Sequence, residues 1–196
     1  MPSASRVVLT CLLGAGVGLG LMACSPAESP APLPPPADLT APPAAAPLTA
    51  SAEIAALTDV EIAGEVRFIE SGDYVRIEAE IRGLDDGLYG FHIHTGTDCD
   101  DRGGHYDPTG MPHGSPDEPT ELRHVGDLGN LVSRDGIARF VRIDPVVALD
   151  GDHSVIGRIA VIHNDSDKLL PQPAGDSGTQ IGCGVIHAGH GGRMTP

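Results

Sequence analysis

His92 and His94 stand two residues apart in Gly90-Phe91-His92-Ile93-His94, and His105, His113, His124 and His163 follow at wider intervals. Asp127 falls three residues after His124, making a His-x-x-Asp step. Imidazole is the commonest protein ligand for transition metals. Imidazole-rich sets suit copper and zinc, and three imidazoles with one carboxylate suit tetrahedral zinc. A lone histidine is an ordinary surface residue. An i, i+2 pair, a spaced loop trio and a His-x-x-Asp step in one chain predict a metal centre. The other three of the nine histidines, His153, His187 and His190, stand outside this set. The last two lie in a Gly-rich tail, where an adventitious metal role is the most they offer.

Strands must position such a site. On a strand, residues two apart leave the same face, so His92 and His94 point together while Phe91 and Ile93 enter the core. From Leu57 onward the apolar period is two: Val60, Ile62, Gly64, Val66 and Phe68 alternate with polar neighbours, as do Val75, Ile77, Ala79 and Ile81. Ser71-Gly72-Asp73 reads as a hairpin turn between these runs, and Asp85-Asp86-Gly87 as a second turn. Leu88–His94, Ile137–Ile143, Val155–His163 and Gly184–His187 are further strand-like runs. No helical apolar period of useful length appears in the domain, so an antiparallel all-β sandwich or barrel is expected. Two long stretches, Thr95–Gly126 and Asn164–Gly182, break the strand rhythm. Loops that long in a compact domain are usually functional, and the histidines lie in or beside them.

The first 50 residues are of another kind. Arg6 precedes the uncharged, Gly-rich apolar run Val7–Ala23, which reads as a secretory signal over residues 1–23 rather than a retained span. Leu21-Met22-Ala23-Cys24 is similar to the lipobox of bacterial lipoproteins, which makes Cys24 the candidate lipidated residue and predicts a membrane attachment through a lipid anchor. Residues 24–50 carry a dense Pro/Ala mixture, expected to be an extended linker. That leaves residues 51–196 as a domain of comfortable size, placed outside the cytosol, in the periplasm or at the cell surface. Twelve Lys and Arg against 27 Asp and Glu give a formal charge of −15. Such a balance excludes affinity built on phosphate neutralisation, so no nucleic-acid partner is expected. A homodimer is compatible with all of these features.

Gly90–His94, Gly104-His105-Tyr106-Asp107-Pro108, His113-Gly114, Arg123–Asn130, Gly151-Asp152-His153, Gly157-Arg158 and Cys183-Gly184-Val185-Ile186 resemble, in order, the motifs of the copper/zinc superoxide dismutase family. The short His94–Cys99 interval and Gly-Gly-His-Tyr-Asp-Pro look like its bacterial members, and Arg123–Asn130 is similar to eukaryotic ones. The resemblance implies a Greek-key β-barrel of about eight antiparallel strands, with superoxide as substrate and one copper and one zinc ion per subunit. It implies copper on His92, His94, His105 and His163, and zinc on His105, His113, His124 and Asp127. His105 is then shared by both metals, and it takes up a proton when copper is reduced. Asp167, four residues past His163, matches the aspartate that links a copper histidine to a zinc histidine, with Asp165 close enough to be mistaken for it. Cys99 and Cys183 match the family's intrasubunit disulfide, while Cys11 leaves with the signal.

One position departs from the family. Gln180 stands three residues before Cys183, where the family carries an arginine that attracts the superoxide anion. Gln brings a hydrogen bond but no charge, so dismutation slower than usual is expected unless Arg102, Lys168 or Arg193 replaces the lost charge. The reading from a different class is an extracytoplasmic copper-binding protein that buffers metal without useful turnover.

Overall fold

The computed structural model describes residues 46–189. The expected signal, Cys24, nearly all of the linker, His190 and Arg193 lie outside the described residues.

Nine strands carry the described fold: β1 (Thr49–Ala56), β2 (Ala63–Ser71), β3 (Tyr74–Arg82), β4 (Gly87–His94), β5 (Asp127–Arg134), β6 (Ile137–Asp144), β7 (Ile159–His163), β8 (Gln180–Val185) and the two-residue β9 (His187–Ala188). A single 3-10 turn, Thr120–Leu122, is the only helical element among the described residues. The hydrogen-bonded order β2-β3-β6-β5-β4-β7-β8-β1 returns to β2, so these eight strands close on themselves as an antiparallel barrel, with the short β9 added against β1. β3 to β6 and β4 to β7 are non-sequential neighbours, which gives the Greek-key connectivity.

The period of two is carried into the barrel wall. Val66 and Phe68 on β2, and Val75, Ile77, Ala79 and Ile81 on β3, all point inward and are buried. Gly72, with φ +64°, closes the β2–β3 hairpin where Ser71 pairs with Tyr74. Phe91 and Ile93 on β4 reach the core as expected, and Phe91 meets Phe140 edge-on with centroids 5.3 Å apart. With only three Phe and no Trp, the core is built mainly from aliphatic side chains, its buried Val, Leu and Ile each contributing about 1.5–3 kcal/mol.

Several boundaries differ from expectation. β1 lies before the first run of clear alternation and starts at Thr49, so the expected boundary at residue 50 falls inside a strand. Its Ala-rich sequence hides the alternation of Ala50, Ala52 and Ile54, which bury against Phe68, Val66 and Gly64 of β2. Val60 precedes β2 and is exposed, because the chain there is still turning from β1. β5 lies outside the strand-like runs of the sequence; it forms a hairpin with β6 through Asp135-Gly136, both at positive φ. β7 is shorter than the run Val155–His163, whose first residues are a turn. β8 begins at Gln180, so this residue belongs to the barrel wall and not to the second long loop.

Candidate metal centre

β4 carries the first two ligating candidates and β7 the third. Side chains on the outer face of a barrel strand ordinarily meet solvent, yet His92 and His94 are buried. The two long loops cover them. Ile93 donates to the Gly126 carbonyl (2.9 Å), Tyr106 donates to the Ile93 carbonyl (2.7 Å) and Gly126 donates to the Tyr106 carbonyl (2.9 Å). This triangle pins His105 and His124 beside the end of β4.

Two donor sets result. His92, His94, His105 and His163 each offer a ring nitrogen within 4.8 Å of the others, and His105, His113, His124 and Asp127 form a second set on the same criterion. All seven residues are buried, and His105 belongs to both sets. Backbone carbonyls fix two of the rings: His94 Nδ1 donates to Gly103 O (3.1 Å) and His163 Nδ1 to Gly178 O (3.3 Å), which turns the Nε2 atoms to face one another at 3.3 Å. Two further ring nitrogens, His92 Nδ1 and His105 Nε2, are buried without any hydrogen-bond partner. A buried polar atom left unpartnered is costly, and here both orphans belong to the four-imidazole set. Lone pairs of neutral imidazoles gathered in this way fit a soft-to-borderline cation such as copper.

The second set converges on one oxygen. Asp127 Oδ1 lies 2.7 Å from His105 Nδ1, 3.0 Å from His113 Nδ1 and 3.1 Å from His124 Nδ1. Its other oxygen, Oδ2, accepts from the backbone N–H groups of Gly114 (3.0 Å) and His124 (2.9 Å). Three imidazoles and a carboxylate so arranged fit tetrahedral zinc. His105 presents Nδ1 to this set and carries the orphaned Nε2 on the far side of its ring.

Asp167 ties the sets together. Its Oδ2 lies 2.8 Å from His92 Nε2 and its Oδ1 3.0 Å from His113 Nε2. Asn130 holds the Asp167 backbone from β5 through two bonds, at 2.7 and 2.9 Å. Gly175, at φ +69°, packs against this pair so closely that a Cβ there would meet Asp167 Oδ1 at 2.0 Å. Asp165 is exposed and takes no part in these bonds with its side chain.

Burial and charge set the protonation of the site. Burial pushes His92 down to about 3, outweighing its bond to Asp167, and pushes His94 down to about 2. His163 is lowered too, chiefly by burial. These rings are therefore neutral at neutral pH, as ligands must be. Burial also opposes the charged form of His113, but the bonds to Asp127 and Asp167 prevail and raise it to about 9. Burial alone would raise Asp127 and Asp167; their histidine partners hold both carboxylates well below the usual range.

Sequence reasoning missed the support beneath this set. Arg123, fully buried, donates through Nη2 to both oxygens of Asp144 (2.7 and 2.8 Å) and through Nη1 to the Asp127 carbonyl (3.0 Å). It thereby fixes the backbone that carries Asp127. A buried charged pair of this kind is costly to break from one side. The motif Arg123–Asn130 contains both residues, but nothing local marks Arg123 as buried or Asn130 as the partner of Asp167.

The cysteines and cations are placed as follows. Cys99 and Cys183 form a disulfide with Cα atoms 5.9 Å apart, the expected pairing. Gln180 accepts a hydrogen bond from Arg102 Nε, and Arg102 Nη1 donates to the Cys99 carbonyl. Lys168 is paired with Asp176 at 3.5 Å on the surface. His153 and His187 join neither donor set.

Residues 62–186 match the sequence pattern of the copper/zinc superoxide dismutase family. The chain belongs to that family. It is thereby an oxidoreductase of the superoxide dismutase class, and the metals of the class are copper and zinc, which the two buried donor sets fit. Among its relatives, superoxide dismutase [Cu-Zn] A of Xenopus laevis is 41% identical over 137 residues, covering 64% of this chain and 89% of the relative. An extracellular superoxide dismutase [Cu-Zn] of Haemonchus contortus is 39% identical over 134 residues, covering 63% and 72%. The crystal structure of the clock protein EA4 superposes with a TM-score of 0.66 at 34% identity, covering 72% of this chain and 94% of that one. An extracellular relative and a formed disulfide both fit a dismutase-family protein outside the cytosol.

Proposed function

We propose that this chain dismutes superoxide with copper on His92, His94, His105 and His163 and zinc on His105, His113, His124 and Asp127. The observation that carries the reading is His105, one buried ring with Nδ1 in the three-imidazole, one-carboxylate set and an orphaned Nε2 in the four-imidazole set. Two superoxide anions and two protons give one dioxygen and one hydrogen peroxide. When bound, copper supplies the one-electron redox chemistry and zinc supplies none.

The residues divide the remaining work. His105 Nε2 is the atom that holds a proton between the two half-reactions and yields it to the peroxide product. Asp127 keeps the His105 ring in place from the opposite edge. Asp167 fixes the rings of His92 and His113 with its two oxygens, and Gly103 O and Gly178 O set the tautomers of His94 and His163. These bonds hold the buried rings of His92, His94 and His163 in fixed orientations.

The experiment is a dismutation assay on the copper- and zinc-loaded protein beside its metal analysis. Catalytic turnover is expected. Full loading with no turnover would favour the metal-buffering reading instead.

We further propose that the protein is held at a membrane by a lipid on Cys24, since Leu21-Met22-Ala23-Cys24 is similar to a lipobox and a Pro-rich spacer follows. Cys24→Ser should move the protein from the membrane fraction to the soluble one, because the Pro/Ala-rich spacer cannot by itself hold it there. Membrane retention with an uncleaved N-terminus would mean that Val7–Ala23 is itself the anchor.

A further inference from the structure

We infer that Arg102 is the cation that draws and orients the anionic substrate at the four-histidine set, and that Gln180 is the residue that holds it there. This rests on the proposed dismutation, and it replaces slow turnover, expected from Gln180 alone, with charge delivered from a different loop.

The placement is specific. Gln180 opens β8 directly opposite His163 of β7. Arg102 precedes Gly103, whose carbonyl receives the His94 ring. The guanidinium therefore sits between the segments that fix two of the four histidines. Its Nε donates to Gln180 Oε1 and its Nη1 to the Cys99 carbonyl, and the disulfide fastens Cys99 to β8. Arg102 is half-buried, so its charge is less screened than one held fully in open water.

Its partners leave the charge uncompensated. Both acceptors are neutral amide or carbonyl oxygens, and Nη2 of the five-donor fork has no acceptor among the described residues. Arg76, Arg82, Arg123, Arg139, Arg142 and Lys168 each face a carboxylate instead. Three carboxylates lie close by in sequence, Asp98, Asp100 and Asp101; none forms an ion pair with Arg102 among the described residues, and Asp98 spends one oxygen on the backbone N–H groups of Asp100 and Asp101, both at 2.9 Å. In a chain of formal charge −15 the general field repels an anion. A guanidinium held beside the segments that carry His94 and His163 offers a local positive charge against that field, and its planar fork suits an anion with two oxygens better than a lysine does.

The test uses Arg102→Gln, Arg102→Lys and Gln180→Arg in the fully loaded protein, with Arg134→Gln on the far end of β5 as the equal-charge control. Arg102→Gln should lower kcat/KM about tenfold at low salt, with the deficit shrinking as salt rises. Azide, a small monovalent anion read by its effect on copper absorbance, should bind about tenfold more weakly, with copper and zinc content unchanged. Arg102→Lys should recover part of both losses, Gln180→Arg should rescue Arg102→Gln, and Arg134→Gln should change neither readout. Unchanged rate and azide affinity in Arg102→Gln would overturn the inference, as would loss of copper, which would make Arg102 a purely structural residue. Absence of turnover in the unaltered loaded protein would overturn the underlying reading instead, and azide affinity would still report on Arg102.

Discussion

Removing the disulfide with Cys99→Ser and Cys183→Ser together is expected to lower the stability of the metal-free protein by about 4.5 kcal/mol. The two cysteines are 84 residues apart in sequence, and the enclosed segment contains β5, β6 and β7 with most of both long loops. Cross-linking so long a segment removes a large loop-closure entropy from the unfolded chain. The native state loses a constraint as well. Cys183 is buried on β8 and pairs with Val161 of β7 and Ala55 of β1, so one end of the bridge is anchored in the barrel wall. The other end holds the loop that carries Arg102 and the Gly103 carbonyl. Denaturant unfolding of the metal-free variant against the oxidised protein measures the difference. A loss under about 1 kcal/mol would show that the loop is held by its backbone bonds to β4 without help from the bridge.

The parts of the fold legible in the sequence are those where spacing alone carries the information. His92 and His94, two apart on a strand, had to share a face, and Val75–Ile81 had to alternate; both follow from the period of a strand. The His-x-x-Asp step is equally local, and Asp127 and His124 meet as spacing suggests. β1 was hidden because alanine has little strand preference and gives a weak alternation signal. β5 was obscured by Gly129 and Asn130 near its start, though Asp135-Gly136 at its end is a strong hairpin turn.

Distance along the chain hid the rest. Arg123 and Asp144 are 21 residues apart, Asn130 and Asp167 are 37 apart, and Arg102 and Gln180 are 78 apart. No local pattern announces that charged or polar residues so separated will meet; only closure of the barrel brings them together. Asp167 could be named beforehand by resemblance, with Asp165 as the rival. The difference between them is geometric: the chain turns the Asp167 carboxylate inward to two imidazoles and leaves Asp165 in solvent.

The largest functional effect is expected from His105→Ala, because one side chain takes part in two donor sets. Its removal leaves three candidates in each set: His92, His94 and His163 on one side, and His113, His124 and Asp127 on the other. It also deletes the 2.7 Å contact with Asp127 Oδ1 and the orphaned Nε2 that the mechanism uses as its proton carrier. Loss of one ligand from a four-donor set should weaken binding by well over the 10–100-fold typical of an outer partner. A single substitution should therefore impair copper and zinc together, and dismutation should fall to background even when metal is supplied in excess. The deciding measurement is copper and zinc content, by elemental analysis after equilibration against limiting metal, of the unaltered protein, His105→Ala, His113→Ala and His163→Ala. The account predicts one copper and one zinc in the unaltered chain, loss of both in His105→Ala, selective zinc loss in His113→Ala and selective copper loss in His163→Ala. A His105→Ala protein that keeps either metal at full occupancy would contradict a shared ring.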